Sequence, residues 1–332
     1  HFLLDSGTDN FFCELLKQNG YALRTAQADI TSSPETGLNG YINVDSLAYQ
    51  KDFTIDTLRI KLNSDGNKLH YDLAVANTPT NSYPYRGRID GSFFEKGIVT
   101  HALIQDKEGK TGFDLGLRAG MEGDGVKLDI TSPTAILGYK AFQVNEGNYI
   151  YMGQDQRVSA RMTLKANDGA GVQLYTDDAD TTALQDVTLA VHQFELDKVL
   201  AVLPFAPKIS GTLNGDYHVV QTESDLTISS DMTIKNLIYE NAPMGNVGTQ
   251  LVYMPQEDGS HYVDAIIMKD DEEVGTLTGT YKNEGKGDLD AQFSMNHFPL
   301  HYINGFVPNQ IVGLQGTGEG TLSLRGPLDQ LD

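Results

Sequence analysis

The chain has 332 residues, 45 acidic and 24 basic, for a net charge of −21. Nucleic acid binds by phosphate neutralisation and is disfavoured by such a surface, as is direct docking on an anionic leaflet. A single cysteine, Cys13, excludes an intramolecular disulfide and a cysteine-based metal site, and no window approaches the roughly 18 consecutive apolar residues of a membrane span.

The chain opens at His1 inside a polar–apolar pattern, with no signal peptide, and is expected to be a piece of a larger protein. Residues 10–18 read as a short amphipathic helix with Cys13 as a buried small apolar residue. Period-two alternation then dominates. Leu69, Tyr71, Leu73 and Val75 point one way in a strand, as do Phe113, Leu115 and Leu117, and then Val126, Leu128 and Ile130. Val158, Ala160, Met162, Leu164 and Ala166 form the cleanest run. Val187, Leu189 and Val191 follow, then Leu226, Ile228, Met232 and Ile234, and finally Leu289, Ala291, Phe293 and Met295. Asn63-Ser64-Asp65-Gly66-Asn67, Asp106-Lys107-Glu108-Gly109, Asn167-Asp168-Gly169, Glu257-Asp258-Gly259 and Asn283-Glu284-Gly285 read as the turns between strands. One-sided strands joined by tight turns predict an all-β fold, an elongated, curled antiparallel or solenoid-like sheet enclosing a groove.

Two further short helices are expected at 196–203 and 300–307, stopped by Pro204 and Pro308. They belong to an internal repeat. Phe194 and Phe298 lie 104 residues apart (298 − 194), and Leu196/Leu300, Leu203/Val307 and Pro204/Pro308 keep that offset. Gly211/Gly316 and Gly215/Gly320 follow with the offset grown by one. Each unit is Phe-x-Leu, a short apolar helix, a proline and a glycine-spaced strand; the glycines permit close approach of a neighbour or a sharp bend. The expected organisation is residues 1–190 as the N-terminal part of the groove and 191–332 as two repeat units continuing it.

Phe298-Pro299-Leu300 through Phe306-Val307-Pro308, followed by the glycine-spaced strand from Gly316 to Gly326-Pro327-Leu328, resembles the translocation-and-assembly-module family, TamB, of the AsmA-like superfamily. The copy beginning at Phe194 is similar, and the Asn, Asp, Tyr and Gly content resembles members from Bacteroidetes-type bacteria. The specific match covers 194–332; residues 1–190 share only the pattern of strands and hairpins. The resemblance implies a periplasmic, cell-envelope protein anchored in the inner membrane by an N-terminal helix. It also implies a long β-groove (a β-taco) with an apolar floor and a part in outer-membrane biogenesis. The chain lacks the family's anchor and shows no clear match to its C-terminal domain, so it is expected to be an internal fragment.

The expected function is therefore non-enzymatic: a periplasmic scaffold that guides phospholipid, or another acyl-chain ligand, between inner and outer membranes. The residues expected to line the groove are Leu69, Tyr71, Leu73, Val75, Phe113, Leu115, Leu117, Val158, Met162, Leu164, Val187, Leu189, Val191, Leu226, Ile228, Met232, Ile234, Leu289 and Phe293. One alternative is a chaperone-like module for outer-membrane β-barrel proteins, working through sheet edges. Another is a surface adhesin or glycan binder. No cofactor or metal is expected. His297 and His301 share a helical spacing but lack a zincin's glutamate and read as polar residues at a strand-to-helix junction. Asp177-Asp178-Ala179-Asp180 and Asp270-Asp271-Glu272-Glu273 read as charged turns and Gly120-Met121-Glu122-Gly123-Asp124-Gly125 as a hairpin, while Tyr139, Tyr149 and Tyr151 around Phe142 read as cross-strand packing, with an aromatic platform as the alternative.

Overall fold

The computed structural model describes residues 1–8, 11–49, 53–177, 183–203, 206–283, 287–306 and 313–327. Among them are 23 strands, all in antiparallel pairs, and three short helices. Pro204, Val307, Pro308, Leu328, most of the acidic run after Asp177 and most of the turn after Asn283 lie outside the described residues. The chain divides into two units, His1–Tyr151 with Val202–Pro204, and Met152–Ala201 with Phe205–Asp332.

The first unit contains β1 (Phe2–Ser6), α1 (Phe11–Gln18), β2 (Tyr21–Ala22), β3 (Thr25–Ser33), β4 (Gly37–Tyr49), β5 (Phe53–Asp65), β6 (Lys68–Ala76), β7 (Arg86–Phe94), β8 (Gly97–Gln105), β9 (Thr111–Glu122), β10 (Gly125–Ile130), β11 (Thr134–Leu137) and β12 (Lys140–Val144), with β13 (Tyr149–Met152) on its boundary. Chain neighbours pair from β3 through β10, as expected of a hairpin meander; β1 pairs with β3, β2 with β4 and β11 with β9. Cys13 is buried, its sulfur donating to the Gly7 carbonyl at 3.0 Å.

The second unit contains β14 (Val158–Lys165), β15 (Gly171–Thr176), β16 (Gln185–Glu195), α2 (Leu196–Leu200), β17 (Ile209–Gln221), β18 (Leu226–Tyr239), β19 (Ala242–Pro255), β20 (Ser260–Lys269), β21 (Glu272–Lys282), β22 (Asp288–Pro299), α3 (His301–Phe306) and β23 (Thr317–Pro327). From β14 to β23 each strand pairs with the next. Two tips are tight two-residue turns with both central residues at positive φ, Glu240-Asn241 (46°, 72°) and Asp270-Asp271 (51°, 67°), the type I′ geometry whose twist matches the flanking strands. The helix expected at 196–203 stops at Leu200, and 201–203 form a turn. None of its residues is buried, so no packed face prolongs it past one turn.

The repeat is visible in the register. β16 and β22 carry the same bulge, between Val191 and Phe194 and between Met295 and Phe298. In each the extra residue has positive φ, Gln193 at 47° and His297 at 53°. After each bulge comes a short helix and a returning strand. Val191 faces Gly215 and Phe194 faces Leu213; Met295 faces Gly320 and Phe298 faces Gly318. The bulge keeps both phenylalanines on the face of the residues before it, where plain alternation would turn them over.

Candidate functional site: an uncovered apolar face

Directly opposed residues of an antiparallel pair project from the same face. In the first unit one such row runs Leu4, Ala28, Ile42, Ile60, Leu73, Ile89, Ala102, Leu115 across eight strands. A parallel row runs Ala26, Val44, Leu58, Val75, Gly87, Ile104, Phe113. In the second unit a row runs Met162, Leu174, Leu189, Tyr217, Ser230, Leu251, Ala265, Leu277, Phe293, Leu322. Beside it lie Leu164, Val172, Val191, Gly215, Met232, Thr249, Ile267, Gly275 and Met295. Each unit thus gathers most of its apolar residues on one face, with exceptions such as Val99, Leu103, Val252 and Ile266 on the other.

The other face is mostly polar. In the first unit Arg88 pairs with Asp72 at 2.7 Å, Arg59 with Asp45 at 2.6 Å and His101 with Asp114 at 2.7 Å; in the second, His218 meets Asp186 at 2.6 Å. Hydrogen bonding and the charge of Arg59 hold the Asp45 carboxyl below the usual carboxylate range.

The apolar faces are only partly covered. Of the nineteen groove residues expected from sequence, Met162, Leu164 and Val187 are buried and the other sixteen are half-buried. Their row partners are more open still: Ile89 is 43% exposed, Phe93 49%, Tyr217 44%, Leu277 37% and Leu322 53%. The interior of a β-sandwich would bury these positions.

The sequence reading missed the contributions of β3 to β5, β7, β8 and β19 to β21. In β4, β7 and β21 the alternation is interrupted where glycine takes the apolar position, as at Gly40, Gly87, Gly91, Gly275 and Gly279; the alternation of β5, β8 and β20 has no such gap and was overlooked. The available signal was the flanking residues two positions away, such as Ile42 beside Gly40 and Leu277 between Gly275 and Gly279.

Of the other candidates, Phe142 is 2% exposed, inside the core and not on a platform. Tyr151 donates to Asp124 at 2.7 Å, and Lys110 and Lys127 lie over the Tyr139 and Tyr149 rings at 4.9 and 5.9 Å. Burial, reinforced by Asp106, pushes the Tyr139 phenol up to about 12. His297 lies 3.0 Å from Glu319; no cluster of three or more metal-ligating side chains exists among the described residues. The chain matches no protein-family model, no curated protein and no solved structure.

Proposed function

We propose that the chain is a non-enzymatic periplasmic scaffold of the kind found in the TamB family it resembles, and that its apolar β-face guides phospholipid acyl chains between the inner and outer membranes. One observation carries this reading: aligned apolar rows seven to ten strands long, most of whose large side chains stay partly exposed. Acyl chains gain roughly 0.8 kcal/mol per buried CH₂, so a continuous apolar face holds them without a specific polar site. The acidic exterior keeps so much apolar surface in solution. A closed-core adhesin would require a filled sandwich, which the half-exposed rows do not support.

The test is mass spectrometry of organic extracts from folded, purified protein. Co-purifying phospholipid is expected, and Phe93→Asp with Leu277→Asp should reduce it; lipid-free extracts would count against the reading. A second reading, templating of β-barrel strands, draws support from β23, which pairs only with β22 among the described residues and is mostly exposed. Binding of unfolded barrel protein without lipid dependence would favour it.

A further inference from the structure

The apolar face of the second unit has two unlike margins. At one, the β18–β19 and β20–β21 tips meet α3. There Tyr302, Phe298, Leu237, Met244 and Val274 are buried together against the face residues Ile234, Val247, Ile267 and Met295. Phe293, Phe298 and Tyr302 stack edge to face at 5.3 and 5.7 Å. This margin is plugged.

The opposite margin carries polar-tipped rings on the same face. His261 stands opposite Tyr281, which stands opposite Leu289; Tyr253 stands opposite Ile228 and Val263. The His261 ring lies between Tyr253, stacked at 5.8 Å, and Tyr281, tilted at 6.1 Å. The Tyr253 hydroxyl and His261 Nδ1 are 2.6 Å apart. With the phenol donating, the ring proton sits on Nε2, which has no protein partner among the described residues. The hairpin tips of this margin bear the exposed carboxylates Glu223, Asp225, Glu257 and Asp258, the last paired with Lys282 at 2.8 Å.

We propose that a zwitterionic phospholipid lies on this face with its phosphate at Tyr253, His261 and Tyr281 and its chains directed at the margin plugged by α3. The proposal rests on the acyl-chain reading above and adds an orientation and a headgroup site to it. The Nε2 proton, held on that nitrogen by the Tyr253 hydroxyl, donates to the phosphate, joined by the Tyr281 hydroxyl in exchange for its long 3.4 Å contact with Asn283 Oδ1; the tip carboxylates, which would repel a purely anionic headgroup, receive the ammonium. The six residue steps from His261 to Ile267 span about 20 Å of strand, more than the roughly 15 Å of hydrocarbon in one leaflet.

The experiment measures binding of phosphatidylcholine, of diacylglycerol with the same chains, and of glycerophosphocholine to the full chain, to Tyr253→Phe, and to Tyr253→Phe with His261→Phe. Both substitutions keep an aromatic ring in the stack; thermal melts confirm the fold. Phosphatidylcholine binding should weaken about tenfold in the double variant, as expected for the loss of a hydrogen bond to a charged group. Diacylglycerol binding should stay unchanged, and glycerophosphocholine should not bind measurably. Unchanged phosphatidylcholine binding, a parallel loss for diacylglycerol, or glycerophosphocholine binding as tight as the lipid would each overturn the headgroup site. An unmodified chain that takes up neither lipid is a different outcome: it overturns the acyl-chain reading and this proposal with it.

Discussion

Tyr302 shows how one buried polar atom is tolerated. Its side chain is 4% exposed and its hydroxyl has no hydrogen-bond partner among the described residues. Burial, with Asp270 adding to it, pushes the phenol up to about 12. Tyr302→Phe removes an unsatisfied group and keeps the ring against Phe298, so it should stabilise the chain by about 1 kcal/mol in urea unfolding; a loss of that size would show that the hydroxyl is satisfied in solution. Because the folded value is raised, the neutral phenol's contribution is present below pH 10 and lost as pH rises from 10 towards 12. The Phe variant should lack that part of the alkaline loss. Asp56 runs the other way. Hydrogen bonds from the Thr78 amide and hydroxyl, and from Asn81, hold its carboxyl below the usual 3.8. Its contribution is present above that pH and fades as pH falls through the lower folded value. Melting temperatures at pH 6 and pH 3 should therefore converge in Asp56→Asn relative to the parent.

At the scale of the element, the repeated strand–helix–strand unit supplies its own control. Gly215 and Gly320 occupy equivalent places, each at φ 136° and each opposite the residue before the bulge. Their surroundings differ. A Cβ at Gly215 would collide with the Asp231 carbonyl oxygen and reach within 2.8 Å of the Met232 sulfur, whereas nothing lies within 4 Å of one at Gly320, on the edge strand. Backbone strain alone costs an L-residue about 1–3 kcal/mol. Gly320→Ala should lose that much in denaturant midpoint, and Gly215→Ala clearly more. Equal losses would mean that φ, and not crowding against β18, made glycine necessary at both places.

Across the whole molecule, the polar faces are laced with ion pairs while the apolar faces lie half open. That asymmetry predicts an unusual mutational profile. Phe93→Asp and Leu277→Asp place charge at large apolar residues 49% and 37% exposed, so each should cost only about 1–2 kcal/mol, the partial burial that is lost. Leu164→Asp, at a position 7% exposed, should cost several kcal/mol, because an unpaired charge would be buried. Binding of a solvatochromic hydrophobic dye to the folded chain should fall in the first pair. If all three variants unfold alike, the rows are ordinary core.

Period-two alternation was enough to place the runs from Leu69 to Phe293 on strands, each run on one side. Asp- and Asn-rich tetrads located the turns, and the offset between Phe194 and Phe298 located two units that prove to share a bulge and a register. Alternation states only which side a residue takes, so strands whose apolar positions are glycine, such as β7 and β21, were not legible as part of the face. Register between strands, and whether anything lies over a row, depend on segments remote in the chain. Met162, Leu164 and Val187 are buried while Ile89 and Phe93 stay open, although all five alternate alike. Which face is core and which is surface was therefore decided by tertiary contacts alone: side-chain direction is a local property of the backbone, and coverage is not.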